Sequence, residues 1–457
     1  MESASQKTDC RHSGLQFTHD GDSQISNKIR SVSNGESTSV VNSIEFDVSS
    51  DKNRGSSSVN ILSLPPELLV RILEFVPARH AILFVSLVCR QFWLLLSSHS
   101  WWKLRYGALC GSRRDDVVSD VSAFDCRQSC GWRNACVERE DAINLWGSTE
   151  VMENSCYHLL GHYAPIDCVK LLSGKGKQLC LSGSRDRSVN VWDLDLISRN
   201  ENFKGNNQAV IATCAGHKGW VWCFASHWPE TNVVCSGGWD SQARLWSLTD
   251  SNLTLLRDIR HSNIVLSLNM PEPNVLISGS ADNETRHYDL RGSGCLTRTV
   301  RSHRMPVLCL QTTDKFVISG SSDKTIAIWD RRADCEYKKI QVPFTVLSLH
   351  YGYGLLRAGC SDGSVYTFVR DDFQLVESCT RHDNKVTGIC HNLGMTVTCS
   401  TDSTIKIAEP CIDPQVMCSM ENSGCQFASL DFNGSCLVAA GGGKTSMKLY
   451  KPAGRFH

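Results

Sequence analysis

The sequence predicts a small all-α unit followed by an all-β, seven-bladed propeller. Three observations support this fold class: a polar N-terminal stretch, an apolar segment with helical spacing that begins near residue 60, and a motif that recurs about every forty residues after residue 160. At 457 residues the chain exceeds the usual size of one hydrophobic core, so we expect more than one folded unit. The expected boundaries are 1–58 for a disordered tail, 60–106 and 107–148 for two helical segments, and 149–457 for the propeller.

Residues 1–58 are predicted to be disordered. Ser, Asn, Asp, Lys and Gly dominate this stretch, and aromatic residues are almost absent from it. Such a composition buries too little apolar surface to offset the conformational entropy that an ordered chain loses.

The composition favours protein partners inside the cell. Lys+Arg 47 and Asp+Glu 47 cancel, so no global field attracts nucleic acid or an anionic membrane, and we expect neither as a partner. The stretch from Met1 to Gly14 is too polar for a signal peptide, and the longest apolar runs, 81–85 and 92–96, are too short to span a bilayer. We therefore expect an intracellular protein, cytoplasmic or nuclear or both, whose 23 cysteines are reduced.

Cysteine can also bind zinc, and the tightest cluster is Cys126, Cys130 and Cys136. Its spacing lacks the C-x-x-C pair that is typical of structural zinc sites. We expect no metal and no cofactor.

The first helical segment is rich in large apolar side chains. From Leu64 to Trp102, 24 of 39 residues are apolar. Pro65 and Pro66 suit the start of a helix that ends before Pro77, and a second helix should follow. The apolar residues at helical spacing are Leu68, Leu69, Ile72, Leu73 and Val76 in the first helix and Leu83, Phe84, Leu87 and Val88 in the second. A unit of about forty residues cannot hide them all, so part of this surface should contact another molecule or domain.

This segment resembles the F-box, whose pattern has a Leu-Pro-x-Glu-Leu start, a Val-Cys-Arg-x-Trp-like centre and a Trp-bearing end. The matching residues are Leu64, Pro65, Glu67, Leu68, Ile72, Leu73, Val88, Cys89, Arg90, Trp93 and either Trp101 or Trp102. Trp93 lies one position later than is commonest. The resemblance implies that these helices dock the Skp-type adaptor of an SCF ubiquitin ligase, with contacts from Leu64, Pro65, Glu67, Leu68, Leu69, Ile72, Leu73, Val88, Cys89 and Trp93. The alternative is an ordinary helical cap on the propeller.

The second helical segment is predicted to contain a linker helix between Phe124 and Trp146. Four residues lie near one face of this helix, namely Trp132, Cys136, Ile143 and Trp146, whereas Arg133, Arg139, Glu140 and Asp141 lie mostly away from it. The run that begins Gly131-Trp-Arg-Asn is similar to the helical connector of F-box/WD proteins. That similarity implies a fixed spacer between adaptor and substrate.

The repeat is an aspartate six residues before an aromatic residue. Five copies are intact and two are degenerate: Asp186 with Trp192, Asp240 with Trp246, Asp282 with Tyr288, Asp323 with Trp329, Asp362 with Phe368, Asp402 with Ala408, and Lys444 with Tyr450. The spacing between successive copies is 54, 42, 41, 39, 40 and 42 residues, and the polar residues around 199–208 should form a long loop between the first two blades. With its Gly-His and Trp-Asp elements, this repeat resembles the WD40 propeller. A strand near residues 150–158 is expected to complete the seventh blade, which would leave no free sheet edge.

A histidine and a hydroxyl residue accompany the aspartate in five of the repeats. The sets contain His162, His217, His261, His303 and His382 with Ser182, Ser236, Ser278, Ser319 and Thr398. One set alone would suggest a Ser-His-Asp catalytic triad, but five copies favour buried hydrogen-bond networks instead. A propeller enzyme would need a unique acid-base or metal cluster near the central channel, and the sequence suggests none.

In WD40 relatives, one rim of the propeller presents the residues three and five positions after each histidine and the residue before each aspartate. Here these positions are rich in Trp, Ile and Leu, and only Arg185 and Lys385 are basic. Because phosphate recognition needs several converging cations, we expect a substrate to bind mainly through Trp220, Trp222 and Trp239, with phosphate optional. The full set of expected substrate contacts is Arg185, Trp220, Trp222, Trp239, Ile264, Leu266, Leu308 and Lys385. The alternative is that the tryptophans only pack between blades.

The resemblance to F-box/WD-repeat proteins covers residues 62–457. It implies a non-catalytic subunit that recognises the substrate of an SCF-type cullin-RING ubiquitin ligase. The expected partners are a Skp-type adaptor, the cullin and RING subunits, and an unidentified substrate protein. A scaffold that assembles proteins without degradation remains the alternative.

Overall fold

The computed structural model of the chain describes residues 61, 64–110, 131–174, 176–198, 209–249, 252–292, 295–369, 372–411, 414–422 and 425–452. The expected disordered tail, Cys126 and Cys130, and the polar insertion around 199–208 lie outside the described residues. The described chain begins with helices and continues as 28 strands.

The helices form one unit at the start of the described chain. They are α1 (Pro66–Glu74), α2 (78–88), α3 (Arg90–Ser97), α4 (His99–Leu109), α5 (Trp132–Trp146) and α6 (Thr149–Asn154). As predicted, α1 begins after Pro65, whose backbone is extended, and ends before Pro77. The central turn of α2, Ala81–Val85, is a π-helix. An extended residue, Cys89, separates α2 from α3 and caps α3 by accepting a hydrogen bond from the Phe92 N–H at 3.5 Å.

Helix α5 shares a hydrophobic core with α1, α3 and α4. Trp102 is fully buried there, and its indole N–H donates to the Leu96 carbonyl at 2.7 Å. The core consists of residues from α1 to α5 together with Cys110 and one propeller residue: Leu69, Leu73, Ala78, Ala81, Phe92, Leu95, Leu96, Trp101, Trp102, Tyr106, Cys110, Ala135, Cys136 and Leu393. Helix α5 is therefore part of the helical unit.

The prediction for α5 was wrong at two positions. Arg139 is only 2% exposed, whereas Ile143 is 39% exposed. Arg139 can be buried because its guanidinium donates to the carbonyls of Leu109 and Gly394, at 3.2 and 3.0 Å, and pairs with the carboxylate of Glu409. The last two partners belong to the propeller, so this side chain links the two parts of the structure.

The propeller has seven four-stranded antiparallel sheets, as predicted. Blades 1 and 2 consist of β2 (Ile166–Gly174), β3 (Lys177–Ser184), β4 (Val189–Asp193), β5 (Val210–Cys214), β6 (Val221–Ser226), β7 (Val233–Gly238), β8 (Gln242–Leu248) and β9 (Leu253–Arg260). A short helix, α7 (Leu194–Ser198), follows β4. Blades 3 and 4 consist of β10 (Val265–Glu272), β11 (Val275–Ser280), β12 (Thr285–Asp289), β13 (Cys295–Val300), β14 (Val307–Thr312), β15 (Phe316–Ser321), β16 (Thr325–Asp330) and β17 (Cys335–Gln341).

The last three blades follow the same order along the chain. Blades 5 and 6 consist of β18 (Val346–Gly352), β19 (Leu355–Cys360), β20 (Ser364–Val369), β21 (Leu375–Thr380), β22 (Val386–His391), β23 (Thr396–Ser400), β24 (Thr404–Ala408) and β25 (Val416–Glu421). Blade 7 consists of β26 (Gln426–Phe432), β27 (Leu437–Gly442), β28 (Ser446–Tyr450) and β1 (Cys156–Leu160).

The N-terminal strand closes the ring, as predicted. Strand β1 pairs antiparallel with β28, with Cys156 opposite Tyr450 and Leu160 opposite Ser446. The strand begins later than expected, because residues 149–154 form α6. This closure ties the two ends of the propeller together and pairs the edge that β28 would otherwise expose.

The inner strands are buried because neighbouring blades cover both of their faces. All six residues of β15 are buried, whereas the outer strand β17 is largely exposed. No helix in the described ranges is both long and apolar enough to cross a membrane.

Candidate functional site

Four repeats, in blades 1, 2, 4 and 6, build a buried hydrogen-bond network of a histidine, an aspartate and a hydroxyl residue. In blade 1, His162 Nδ1 lies 2.9 Å from Asp186 Oδ2, and His162 Nε2 lies 2.7 Å from Ser182 Oγ. The indole N–H of Trp192 donates to the same Oγ at 2.7 Å. Since a carboxylate can only accept, the histidine carries its proton on Nδ1, and the serine hydroxyl donates to Nε2. The serine is therefore fully hydrogen-bonded.

The network also explains the Gly-His element. A Cβ on Gly161 would lie 2.6 Å from the Trp192 ring, and a Cβ on Gly216 would lie 2.6 Å from the Trp246 ring. Only glycine leaves room for these tryptophans to reach the serine.

The aspartates of these networks stay ionised. Desolvation opposes ionisation of Asp186, but hydrogen bonds from His162 and Ser188 hold the pKa of its carboxyl well below the ordinary value. Blade 2 repeats the geometry, with Asp240 and Ser236 at 3.0 and 2.7 Å from the two nitrogens of His217. Because the serine hydroxyls are buried and already bonded, these sets hold the turns of the propeller together, as the sequence analysis predicted.

Blade 3 departs from this pattern. Asp282 pairs with Arg286 at 2.7 Å and accepts from Ser262, so it leaves His261 without a carboxylate partner. His261 bonds to Ser278, and burial lowers its pKa to about 4. An Arg–Asp pair thus replaces the His–Asp pair at this turn.

The predicted reader positions lie at one end of the blades. In six blades, the residue before the aspartate donates its backbone N–H to the carbonyl of the residue three positions after the histidine. Blade 5 has no histidine, and there the acceptor is Thr345, which aligns with that position. The six bonds measure 2.9 to 3.1 Å and join Arg185 to Pro165, Trp239 to Trp220, Ala281 to Ile264, Ser322 to Pro306, Ser361 to Thr345 and Thr401 to Lys385. We call this end of the propeller the reader rim.

Three tryptophans cluster on the reader rim of blade 2. The ring centroids of Trp220 and Trp239 are 4.9 Å apart, and those of Trp222 and Trp239 are 5.9 Å apart. Trp220 and Trp239 remain 36% and 43% exposed. The cluster is therefore accessible from solvent, although its members pack against one another.

Arg185 joins this cluster from blade 1. Its guanidinium lies 4.6 Å from the centroid of the Trp220 ring and forms a two-pronged ion pair with Asp167, at 2.9 Å from Nε and 3.0 Å from Nη2. These hydrogen bonds raise the pKa of Arg185 above its ordinary value. The charge of Arg185 is thus already balanced by a buried carboxylate, which the sequence analysis did not anticipate.

The other expected substrate contacts are spread along the rim. Ile264 and Leu266 are half-buried on blade 3, Leu308 is half-buried on blade 4, and Lys385 is exposed on blade 6. Three exposed apolar residues on the same rim were not predicted, Tyr163, Met305 and Phe344, of which Tyr163 is 95% exposed. Tyr163 and Met305 lie one and two positions after the histidines of their blades, and Phe344 lies at the equivalent position of blade 5. Including these positions of the repeat among the reader positions would have predicted all three.

A second apolar surface lies on helices α1 to α3. Phe75 is 88% exposed and Leu87 is 80% exposed. They belong to a set of nine exposed apolar side chains: Leu68, Ile72 and Phe75 on or next to α1, Leu83, Phe84, Leu87 and Val88 on α2, and Trp93 and Leu94 on α3. We call this set the exposed helical strip. It includes Leu68, Ile72, Val88 and Trp93 from the expected adaptor contacts.

Other expected adaptor contacts have different surroundings. Leu69 and Leu73 are buried, because they lie one turn apart on the side of α1 that faces α3 and α4. Their side chains therefore cannot form a docking surface, and the prediction was wrong for them. Pro65 and Glu67 are exposed, whereas Leu64 and Cys89 are half-buried against the helical core.

The helical unit is attached to the propeller at the end opposite the reader rim. Tyr106 Oη donates to the Leu393 carbonyl at 2.7 Å, and Trp146 Nε1 donates to the Gly434 carbonyl at 3.3 Å. Leu393 and Gly434 lie in the turns between the first and second strands of blades 6 and 7, whereas the reader rim includes the turns between second and third strands. Consecutive antiparallel strands place these turns at opposite ends of the sheet.

The described ranges bring no group of three or more His, Cys, Asp or Glu side chains together in a geometry that could hold a metal ion. Cys136 of the candidate zinc cluster is buried in the helical core, where its thiol donates to the Trp102 carbonyl at 3.3 Å. Burial raises the pKa of this thiol to about 12, which stabilises the protonated form.

The architecture and its repeated His–Ser–Asp–Trp networks define a WD-repeat propeller. The family model described as "WD domain, G-beta repeat" matches residues 154–193, 208–247 and 294–330. Among solved structures, the WD40 β-propeller domain of Doa1 matches with a TM-score of 0.54 and 19% identity, covering 64% of this chain and 95% of that one. At this identity the match shows the fold alone.

Similarity to named proteins extends beyond the propeller. F-box/WD repeat-containing protein 9 of Homo sapiens is 33% identical over 405 residues, which cover 86% of this chain and 83% of the human protein. The Bos taurus protein of the same name is 34% identical, covering 86% of this chain and 82% of the bovine protein. F-box/WD repeat-containing protein mec-15 of Caenorhabditis elegans is 24% identical, covering 86% and 96%. The chain therefore belongs to the F-box/WD repeat-containing proteins.

Proposed function

We propose that this chain recognises the substrate of an SCF-type cullin-RING ubiquitin ligase. In this role the helical unit is an F-box that docks a Skp-type adaptor, and the adaptor connects the chain to the cullin and RING subunits. The propeller binds the substrate protein. The observation that carries the proposal is the exposed helical strip, which places nine large apolar side chains in solvent on an otherwise well-packed unit.

The strip has the character of a protein interface. Burying one large apolar side chain contributes roughly 1.5–3 kcal/mol, so a partner that covered several of these residues would gain a large driving force. Phe75 and Leu87 project furthest into solvent and are the expected anchors. Leu69 and Leu73 serve the dock indirectly, because they hold α1 against the helical core.

The attachment of the helical unit suits a receptor that fixes the distance between adaptor and substrate. Arg139 bonds to both units, and Arg105 links α4 to α5 through Glu140 at 2.6 Å. A rigid arm raises the effective concentration of a substrate lysine near the ubiquitin carrier. The chain itself performs no covalent step in this account, and it acts inside the cell.

The adaptor dock can be tested by affinity purification of tagged, full-length chain from cells, with mass spectrometry of the recovered proteins. The test variant is Phe75→Ala/Leu87→Ala. The matched control is Leu255→Ala/Leu256→Ala, which removes exposed leucines from β9 on the propeller. Thermal unfolding of each purified variant checks that its fold is retained.

We expect the intact chain and the control to recover a Skp-type adaptor and a cullin, and the test variant to lose at least about 90% of both, because each truncation costs roughly a tenfold or greater loss in affinity. Equal recovery by all three would place the dock elsewhere. If none recovered an adaptor, a non-degradative scaffold would become the better account.

A further inference from the structure

We propose that the reader rim of blades 1 to 3 binds an uncharged, unphosphorylated segment of the substrate through aromatic or aliphatic side chains. We further propose that Arg185 is a positioning residue for the tryptophan cluster. This inference rests on the proposed function, because it names the chemistry of the substrate that the propeller would hold.

A phosphate finds no built site on this part of the rim. Arg185 is bound by both oxygens of Asp167, and Asp167 is buried. To bind a phosphate, the guanidinium would have to leave that carboxylate unpaired in a buried position, which is strongly unfavourable. The nearby cations Arg187 and Lys218 have exposed side chains. Solvated charges of this kind attract anions over distance without forming a specific pocket.

A cationic ligand is also disfavoured. The carboxylates on these turns already have partners: Asp167 pairs with Arg185, Asp186 with His162, and Asp240 with His217. Arg185 already lies over the ring of Trp220, so a second cation at that ring would meet a like charge. A cationic ligand would therefore find no unpaired carboxylate among these three, and an anionic ligand would find only the exposed, solvated cations Arg187 and Lys218.

The remaining chemistry is apolar. The Trp220 and Trp239 rings are tilted by 47° and the Trp222 and Trp239 rings by 60°, so the cluster presents ring edges and faces in place of a flat stack. Tryptophan is the side chain most enriched at the energetic centre of protein interfaces. Ile264 and Leu266 of blade 3 continue the apolar surface beyond the cluster.

Arg185 supports this surface through its contact with the Trp220 ring. The ion pair with Asp167 fixes the guanidinium, and the guanidinium in turn fixes one side of the Trp220 ring. Arg185 therefore affects binding only by positioning Trp220. Its replacement should weaken the affinity of every apolar ligand by a similar factor.

The test uses the full-length chain and a library of random dodecapeptides, selected for binding in unphosphorylated and phosphoserine-containing forms. Dissociation constants of the selected peptides are then measured by fluorescence anisotropy for the intact chain and for Trp220→Ala, Trp220→Phe, Arg185→Gln and Leu256→Ala. Leu256 is the matched control, because it is an exposed apolar side chain in the middle of β9, the outer strand of the same blade. Trp220→Phe keeps an aromatic ring and guards against loss of the fold.

We expect selected peptides to share uncharged aromatic or aliphatic residues and to bind equally well or less well when phosphorylated. Trp220→Ala should weaken them by about tenfold or more, Trp220→Phe by less, and Leu256→Ala by less than about twofold. Arg185→Gln should weaken all of them by a similar factor. The proposal is wrong if the peptides require phosphate, if basic residues dominate the selection, or if no selected peptide depends on Trp220. Adaptor recovery plays no part in this assay, so the adaptor dock and the substrate class can fail independently.

Discussion

Replacing Arg139 by Met should weaken the junction between the helical unit and the propeller and lower the free energy of unfolding. The guanidinium bonds within the helical unit to the Leu109 carbonyl at 3.2 Å, and it joins that unit to the propeller through the Gly394 carbonyl at 3.0 Å and the carboxylate of Glu409. Both charged side chains of the ion pair are largely buried, with 2% of Arg139 and 15% of Glu409 exposed. Removing one partner from a buried pair costs about 3–5 kcal/mol, and the residual exposure of Glu409 favours the lower end, about 3 kcal/mol.

The assay is urea denaturation of the full-length chain, which gives the free energy of unfolding. The matched control is Arg133→Met, the same change in the same helix at an exposed residue whose guanidinium makes one bond, to the Leu96 carbonyl at 2.8 Å. It should cost less than about 1 kcal/mol. The double variant Arg139→Met/Glu409→Leu should recover most of the loss, because it leaves no unpaired charge. A loss below about 1 kcal/mol for Arg139→Met, or no recovery in the double variant, would refute this account of the junction.

Three further predictions follow from the buried groups. Ser236→Ala removes the acceptor of the Trp246 indole N–H and the hydrogen-bond partner of His217. In urea denaturation it should lower the free energy of unfolding by about 1–3 kcal/mol. The control Ser226→Ala, at a half-buried site, should change it by less than about 1 kcal/mol. Burial lowers the pKa of His261, His287 and His350 to about 4, below the ordinary 6.5. Between these two pKa values the unfolded chain binds more protons than the folded chain does. The free energy of unfolding should therefore fall as the pH drops from 7 to 5. The aspartates with lowered pKa values stay ionised over that window, so they do not contribute to this loss of stability. His350→Gln removes one of the three histidines, so stability should depend less on pH in that variant. A stability that rose towards pH 5 would contradict the assignment. Iodoacetamide at pH 8 should label the exposed Cys335 in the folded chain. Cys136 should stay essentially unlabelled, because burial raises the pKa of its thiol to about 12. If mass spectrometry found equal labelling of the two, the helical core would be open to the reagent.

The fold could be predicted because its periodicity is local. The aspartate-to-aromatic motif marks every blade in the sequence, and even the degenerate copies at Asp402 and Lys444 keep their register. The start of α1 was equally visible, because proline restricts the backbone at the positions where a helix can begin.

The buried face of α1 could not be predicted because apolar residues lie on both sides of it. Leu69 and Leu73 face the core while Leu68 and Ile72 face solvent, and all four are large aliphatic side chains. Only the positions of α3 and α4 decide between them. Arg139 was misplaced for a related reason, since its partners Gly394 and Glu409 come from a distant part of the chain.

The pairing of Arg185 with Asp167 is a different case, because both residues occupy reader positions in the same repeat. Their opposite charges, on two positions that the backbone brings together, could have indicated an ion pair from the sequence alone. Arg185 was predicted only as one of two basic reader positions, without Asp167 as its partner.

The most direct test of the proposed receptor is hydrogen exchange of the purified full-length chain with and without a purified Skp-type adaptor. The account predicts slower exchange in α1, α2 and α3 when the adaptor is present, with exchange at the reader-rim turns around Trp220 and Trp239 unchanged. Protection that appeared on the propeller and left the exposed helical strip unchanged would contradict it.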